Sequence, residues 1–97
     1  MIIAEVAVFP TSEGSSVSRY VAEVIKVFET SGLKTRTGPM ATSVEAADLE
    51  SLFRTVADAD AALVRMGVGR IHIDLRVDHR LDKDATMASK LAAVGKR

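Results

Sequence analysis

Residues 68–80 read Val-Gly-Arg-Ile-His-Ile-Asp-Leu-Arg-Val-Asp-His-Arg, the strongest strand signal in the chain. Apolar and polar side chains alternate strictly, which is the pattern of a β-strand with one buried face. The apolar face carries Ile71, Ile73, Leu75 and Val77. The other face carries Arg70, His72, Asp74, Arg76 and Asp78. Such a strand needs neighbouring strands and an apolar layer against its aliphatic face, and upstream segments are suited to provide both.

The first half of the chain predicts a central strand followed by a helix. Residues 2–9 are apolar apart from Glu5, and Pro10 ends the run, as expected for a strand inside a sheet. Ser15 or Ser16 is the predicted N-cap of the helix that follows, and Gly32 is its predicted end. The apolar stripe of this helix is Val17, Tyr20, Val21, Val24, Ile25 and Phe28.

The middle of the chain predicts a β-hairpin and a second helix. Residues 33–37 and 40–46 are short strand candidates separated by the turn signal Gly38-Pro39. Asp48 is the predicted cap of the second helix, which Gly67 closes. The predicted core stripe of that helix is Leu49, Leu52, Phe53, Val56 and Leu63.

The stretch after residue 80 predicts a short C-terminal helix, capped by Asp82 or Asp84. Its apolar side is Met87, Leu91 and Val94. The element order is therefore β-α-β-β-α-β plus one helix. This order predicts an α+β fold of the ferredoxin-like type, with a four-stranded antiparallel sheet and two helices on one face. Residues 1–97 are expected to form a single domain.

Composition excludes several classes of function. The 13 basic residues balance 13 acidic ones, so the chain lacks the excess positive charge that binding to nucleic-acid phosphates needs. The chain has no cysteine, and His72 and His79 point to opposite faces of their strand, so neither thiolate chemistry nor a shared histidine metal site is expected. No apolar run is long enough to cross a membrane. A cytoplasmic, non-catalytic protein without nucleic-acid or membrane partners is the prediction.

Four segments together resemble the thiamine-binding protein family, also catalogued as UPF0045 or DUF77. They are Met1-Ile-Ile-Ala-Glu-Val with Pro10, Ser16-Val-Ser-Arg-Tyr-Val-Ala22, Gly38-Pro-Met-Ala-Thr-Ser-Val-Glu45 and Arg70–Arg80 with Asp82-Lys83. The resemblance covers essentially the whole chain. It implies a ferredoxin-like fold, dimers paired into tetramers, and thiamine or its hydroxymethylpyrimidine half as a bound ligand, with no cofactor required. Where the family often has glycine, this chain has Ala41 and Ala46.

The ligand implied by this resemblance directs attention to residues 37–45. A cationic thiazolium and an aminopyrimidine call for an apolar slot, hydrogen-bonding groups and a carboxylate. The predicted ligand-binding residues are Thr37, Met40, Thr42, Ser43, Glu45 and Asp78, near a subunit interface. Two alternatives remain open at this point. Glu45 could instead pair with Arg70 or Arg76, and the protein could be a regulatory or scaffolding oligomer without a small-molecule ligand.

Overall fold

The computed structural model describes residues 1–96. The four strands are β1 (Ile2–Pro10), β2 (Lys34–Thr37), β3 (Thr42–Ala46) and β4 (Ile71–His79). The three helices are α1 (Ser18–Glu29), α2 (Leu49–Arg65) and α3 (Met87–Ala93). The predicted element order is confirmed.

The sheet has the order β2-β3-β1-β4, and each neighbouring pair is antiparallel. The predicted hairpin is present, with Thr37 opposite Thr42 across the turn. Both α1 and α2 pack over the same face of the sheet. The fold is therefore the predicted ferredoxin-like one. We call the sheet surface opposite α1 and α2 the open face.

The helix ends agree with the sequence predictions only in part. The Asp48 carboxylate accepts from the Ser51 backbone N–H at 2.7 Å, so the predicted cap of α2 is confirmed. Gly32 and Gly67 adopt φ of 88° and 81° just after α1 and α2, in the left-handed region that glycine adopts without strain. The predicted serine cap of α1 is wrong, because Val17 occupies that position and makes no side-chain capping bond.

The cap of α3 also differs from the prediction. Thr86 caps it, in place of Asp82 or Asp84, and its hydroxyl accepts from the Ser89 N–H at 3.0 Å. The Ser89 hydroxyl in turn accepts from the Thr86 N–H, which completes a capping box. The helix therefore begins later than the aspartates indicated, since the two hydroxyl residues satisfy the free N–H groups reciprocally.

The core lies between α1, α2 and the inner face of the sheet. Its largest fully buried side chains are Phe28, Ile2, Leu52, Leu63 and Val44. Two members of the predicted α2 stripe are not core residues, since Leu49 is 37% exposed and Phe53 50% exposed. The aliphatic face of β4 is likewise incompletely covered, because α1 and α2 lie mainly over β1, β2 and β3. Ile73 and Val77 consequently remain exposed at the sheet edge.

Candidate binding site on the open face of the sheet

Strand register determines which side chains share the open face. Glu5 lies in the centre of β1, opposite Ser43 of β3 and Arg76 of β4. Two residues earlier, Ile3 lies opposite Glu45 and Asp78. Because strand side chains alternate between faces, these rows point to the same side of the sheet, away from α1 and α2.

Helix α3 covers one end of this face and is held there by Glu45. The Glu45 carboxylate accepts from the Met87 backbone N–H at 2.5 Å. This N–H is one of the donors that a helix leaves free in its first turn, and a carboxylate at that end also interacts favourably with the helix dipole. Glu45 is only 9% exposed. Its carboxylate is therefore a buried attachment point for α3.

A second carboxylate also fastens α3 to the sheet. Asp78 of β4 lies 2.6 Å from the Lys90 ammonium. The hydrogen bond from Lys90 lowers the pKa of the Asp78 carboxyl below its ordinary value. Just before the helix, the N-terminal ammonium of Met1 lies 3.6 Å from Asp84. Contacts from β3, β4 and the start of the chain thus place α3 beside the hairpin.

A cavity of about 420 Å³ lies between α3 and the β2–β3 turn. Most of its surface is apolar, and its polar groups are few. The apolar side includes two thioethers, from Met40 and Met87, which adapt well to the faces of flat rings. The complete lining is Ile3, Glu5, Arg36, Thr37, Gly38, Pro39, Met40, Ala41, Ser43, Met87, Lys90 and Leu91. We call this the α3 cavity.

A second cavity of about 390 Å³ adjoins the α3 cavity on the open face. Glu5, Met40 and Ala41 line both spaces. The remaining lining of the second cavity comes from β1 and β4, and it includes the charged side chains of Asp74 and Arg76. We call this the β4 cavity. An apolar space and a more polar space therefore meet beside Glu5.

Three of the six predicted site residues, Thr37, Met40 and Ser43, come together in the lining of the α3 cavity. Thr42 lies on the other side of the sheet, because it pairs with Val6 on the helix-covered face and is 6% exposed. There it lines a separate space of about 270 Å³ beside α1. Adjacent strand residues face opposite ways, so Thr42 and Ser43 cannot line the same part of the open face.

Glu45 and Asp78 contact α3, and neither is among the described residues that line the α3 cavity. Within residues 1–96, the ion pairs do not join Glu45 to Arg70 or Arg76. Ala41 lines the cavity, whereas Ala46 is buried in the core.

Sequence reasoning missed the contribution of Glu5, Arg36 and α3 to the lining. Glu5 had a visible signal, since it is the single charge in the apolar run of residues 2–9. Such a charge in a central strand marks the solvent side of the sheet. The placement of α3 over the open face had no local signal.

The helices of residues 1–96 include none that is long and apolar enough to cross a membrane. The same part of the chain holds no group of three or more His, Cys, Asp or Glu side chains suited to a metal ion. The cytoplasmic location remains a prediction.

Fold and site together define a ferredoxin-like domain with a largely apolar cavity on its open face. The family model described as "Thiamine-binding protein" matches residues 4–95. The chain belongs to this thiamine-binding protein family, as its sequence pattern predicted.

Named relatives agree with this assignment. A UPF0045 protein of Methanocaldococcus jannaschii is 36% identical, over 97% of this chain and 92% of the relative. The UPF0045 protein YqgV of Bacillus subtilis is also 36% identical, over 99% of this chain and 96% of the relative.

Solved structures support the fold. The crystal structure of the Methanocaldococcus protein superposes with a TM-score of 0.90 at 35% identity, covering 99% of this chain and 97% of the other. A Thermotoga maritima protein, provisionally named a thiamine biosynthesis/salvage protein, superposes with a TM-score of 0.80. It is 20% identical, with 96% and 97% of the two chains covered, so it supports the fold alone.

Proposed function

We propose that this protein is a non-catalytic binding protein for thiamine or its hydroxymethylpyrimidine half. The observation that carries the proposal is the α3 cavity, whose volume of about 420 Å³ falls within the range of small-molecule sites. Its mainly apolar lining with a few polar groups is the composition that such sites have. Membership of the thiamine-binding family supports thiamine or its pyrimidine half as the ligand.

In this proposal, the aminopyrimidine ring lies between the thioethers of Met40 and Met87, with Leu91 against its edge. The hydroxyls of Ser43 and Thr37 are the hydrogen-bonding groups for the ring nitrogens and the amino group. Each of these five residues lines the cavity. No cofactor takes part, since binding alone needs no further chemical group.

Two predicted residues act through α3 in this proposal. Glu45 and Asp78 hold the helix that carries Met87 and Leu91 against the sheet. They therefore affect the ligand by keeping the cavity in shape. Thr42 has no part in the site, because its side chain lies on the helix-covered side of the sheet.

Self-assembly as a dimer of dimers is the second part of the proposal. The outer edge of β4 is unpaired within the described chain, and Ile73 of this strand is 43% exposed. Phe53 and Val64 of α2 are also exposed apolar side chains. A long edge strand with exposed apolar neighbours favours pairing with a second copy. The open face, with Met40 88% exposed, is the surface proposed for contact between dimers.

Titration calorimetry of thiamine, its phosphates and hydroxymethylpyrimidine into the purified protein tests the ligand. Saturable binding of thiamine or the pyrimidine, at one site per chain, is the expected result. Mass spectrometry of the denatured sample checks for ligand retained through purification. If none of these compounds binds, the scaffolding alternative replaces this proposal.

A variant pair tests the position of the site. Leu91→Trp enlarges a side chain that lines the α3 cavity, so it should abolish binding. Val94→Trp makes the same kind of change at the end of the same helix, at a residue that is 71% exposed and lies outside the lining. It should bind like the parent. Equal affinities in the two variants would place the ligand elsewhere.

A further inference from the structure

Glu5 lies where the two cavities meet. Glu5 lines both the apolar α3 cavity and the more polar β4 cavity. The carboxylate lies on the central strand of the sheet, where the backbone is paired on both edges, to β3 and to β4. The sheet fixes the backbone of Glu5, so a ligand that binds the carboxylate has to order only the side chain.

Two other carboxylates of the open face already have partners. Glu45 accepts the first N–H of α3, and Asp78 pairs with Lys90. The third, Asp74, lies 4.0 Å from the imidazole of His72 and lines the β4 cavity but not the α3 cavity. In the part of the chain that the structure describes, the hydrogen bonds and ion pairs do not include the Glu5 side chain. Glu5 is exposed on this face. It is therefore the carboxylate most available to a ligand that spans the two cavities.

We infer that Glu5 is the specificity-determining carboxylate for the cationic ring of the ligand. This inference rests on the proposed function and deepens it. The neutral aminopyrimidine occupies the apolar α3 cavity, and the positive thiazolium lies at the junction beside Glu5. The hydroxyethyl tail then extends into the β4 cavity, towards Arg76. A cation that leaves water for a partly enclosed site needs an opposite charge close by, and Glu5 supplies it.

A purely structural role is the competing explanation. Arg76 is the cross-strand neighbour of Glu5, and cross-strand pairs of opposite charge stabilise sheets. If this pair were the purpose of Glu5, loss of the charge would lower the melting temperature and affect every ligand alike. The two explanations therefore differ in ligand selectivity.

Calorimetry on Glu5→Gln with two probes, thiamine and neutral hydroxymethylpyrimidine, measures that selectivity. Thiamine affinity should fall about ten- to a hundredfold, the usual size of a charge-assisted contact. Hydroxymethylpyrimidine affinity should change by less than about threefold, because that ligand carries no positive ring. Glu29→Gln is the matched control, since Glu29 is an exposed glutamate at the end of α1 on the other side of the sheet. It should leave both affinities unchanged.

Melting and light scattering on the same samples complete the test. Unchanged melting temperature and mass, together with the selective loss of thiamine, support the inference. Equal losses for both ligands, or an unchanged thiamine affinity, overturn it and leave the proposed function standing. A parent protein that binds neither probe overturns both.

Discussion

The attachment of α3 to Glu45 allows a quantitative prediction for Glu45→Ala. This change removes a buried carboxylate and leaves the Met87 N–H without its acceptor. Hydrogen bonds to charged groups contribute about 1.5–3 kcal/mol. Helix α3 has no fully buried side chain, so this bond is a large part of what holds the helix to the sheet. We expect α3 to open locally while the rest of the domain stays folded.

Hydrogen exchange of the α3 backbone amides is the appropriate assay. A loss of 1.5–3 kcal/mol corresponds to exchange about ten- to a hundredfold faster. The Lys90 N–H, which donates to Thr86 O at 3.0 Å, is a suitable reporter. Amides of β1 and β3 should keep their protection, and the main thermal transition should shift by less than about 5 °C. Glu29→Ala is the control, since Glu29 lies on α1.

Two results would refute this reasoning. Unchanged exchange in α3 would show that Glu45 does not hold the helix. Equal acceleration in α3 and in the central strands would show that α3 does not open separately from the core. The expected pattern would also lower the affinity for any ligand of the α3 cavity, because Met87 and Leu91 line it.

Further predictions concern acid, the core and assembly. Lys90 lowers the pKa of Asp78 in the folded protein, so the stabilisation from this pair is complete above the ordinary pKa near 3.8 and is lost as the pH falls through the lowered pKa. Exchange of the α3 amides should accelerate in that pH range. Asp78→Asn should remove this pH dependence. Phe28→Ala, at a side chain 1% exposed, should cost about 3–5 kcal/mol in denaturant unfolding. Phe53→Ala, at 50% exposure, should cost less than about 1 kcal/mol in the same measurement. Light scattering at micromolar concentration should give four times the 10.4 kDa chain mass. Ile73→Asp should reduce this measured mass, whereas a monomer mass for the parent would contradict the proposed assembly.

Most of the fold could be predicted from the sequence because its strands and α1 and α2 carry clear periodic patterns. The two-residue alternation of residues 71–79 identifies β4 and assigns each side chain to a face. Gly38-Pro39 lies between the two hairpin strands, and Asp48 marks the start of α2. Exposure was less predictable. Leu49 and Phe53 fit the apolar period of α2, yet both side chains are exposed.

The candidate site was only partly predictable, because it depends on contacts between distant segments. Met40 and Ser43 were found from their chemistry beside the turn. The partner of Glu45 could not be predicted, since Met87 is 42 residues away and contributes a backbone N–H, which any residue type except proline supplies. Thr42 offers the same hydroxyl group as Ser43, but side chains alternate along β3, so Thr42 lies on the helix-covered face.

The pairing of β1 with β4 has a consequence for how the chain folds. Ile2 lies opposite His79 and Pro10 opposite Ile71, so β1 pairs with β4, which is synthesised after the other three strands of the sheet. Contacts so distant in sequence form slowly. Until β4 emerges, the apolar strand Ile2–Pro10 lacks one neighbour, and an unpaired apolar strand is prone to aggregate. Chaperones that shield β1 during synthesis should therefore raise the yield of folded protein in cells.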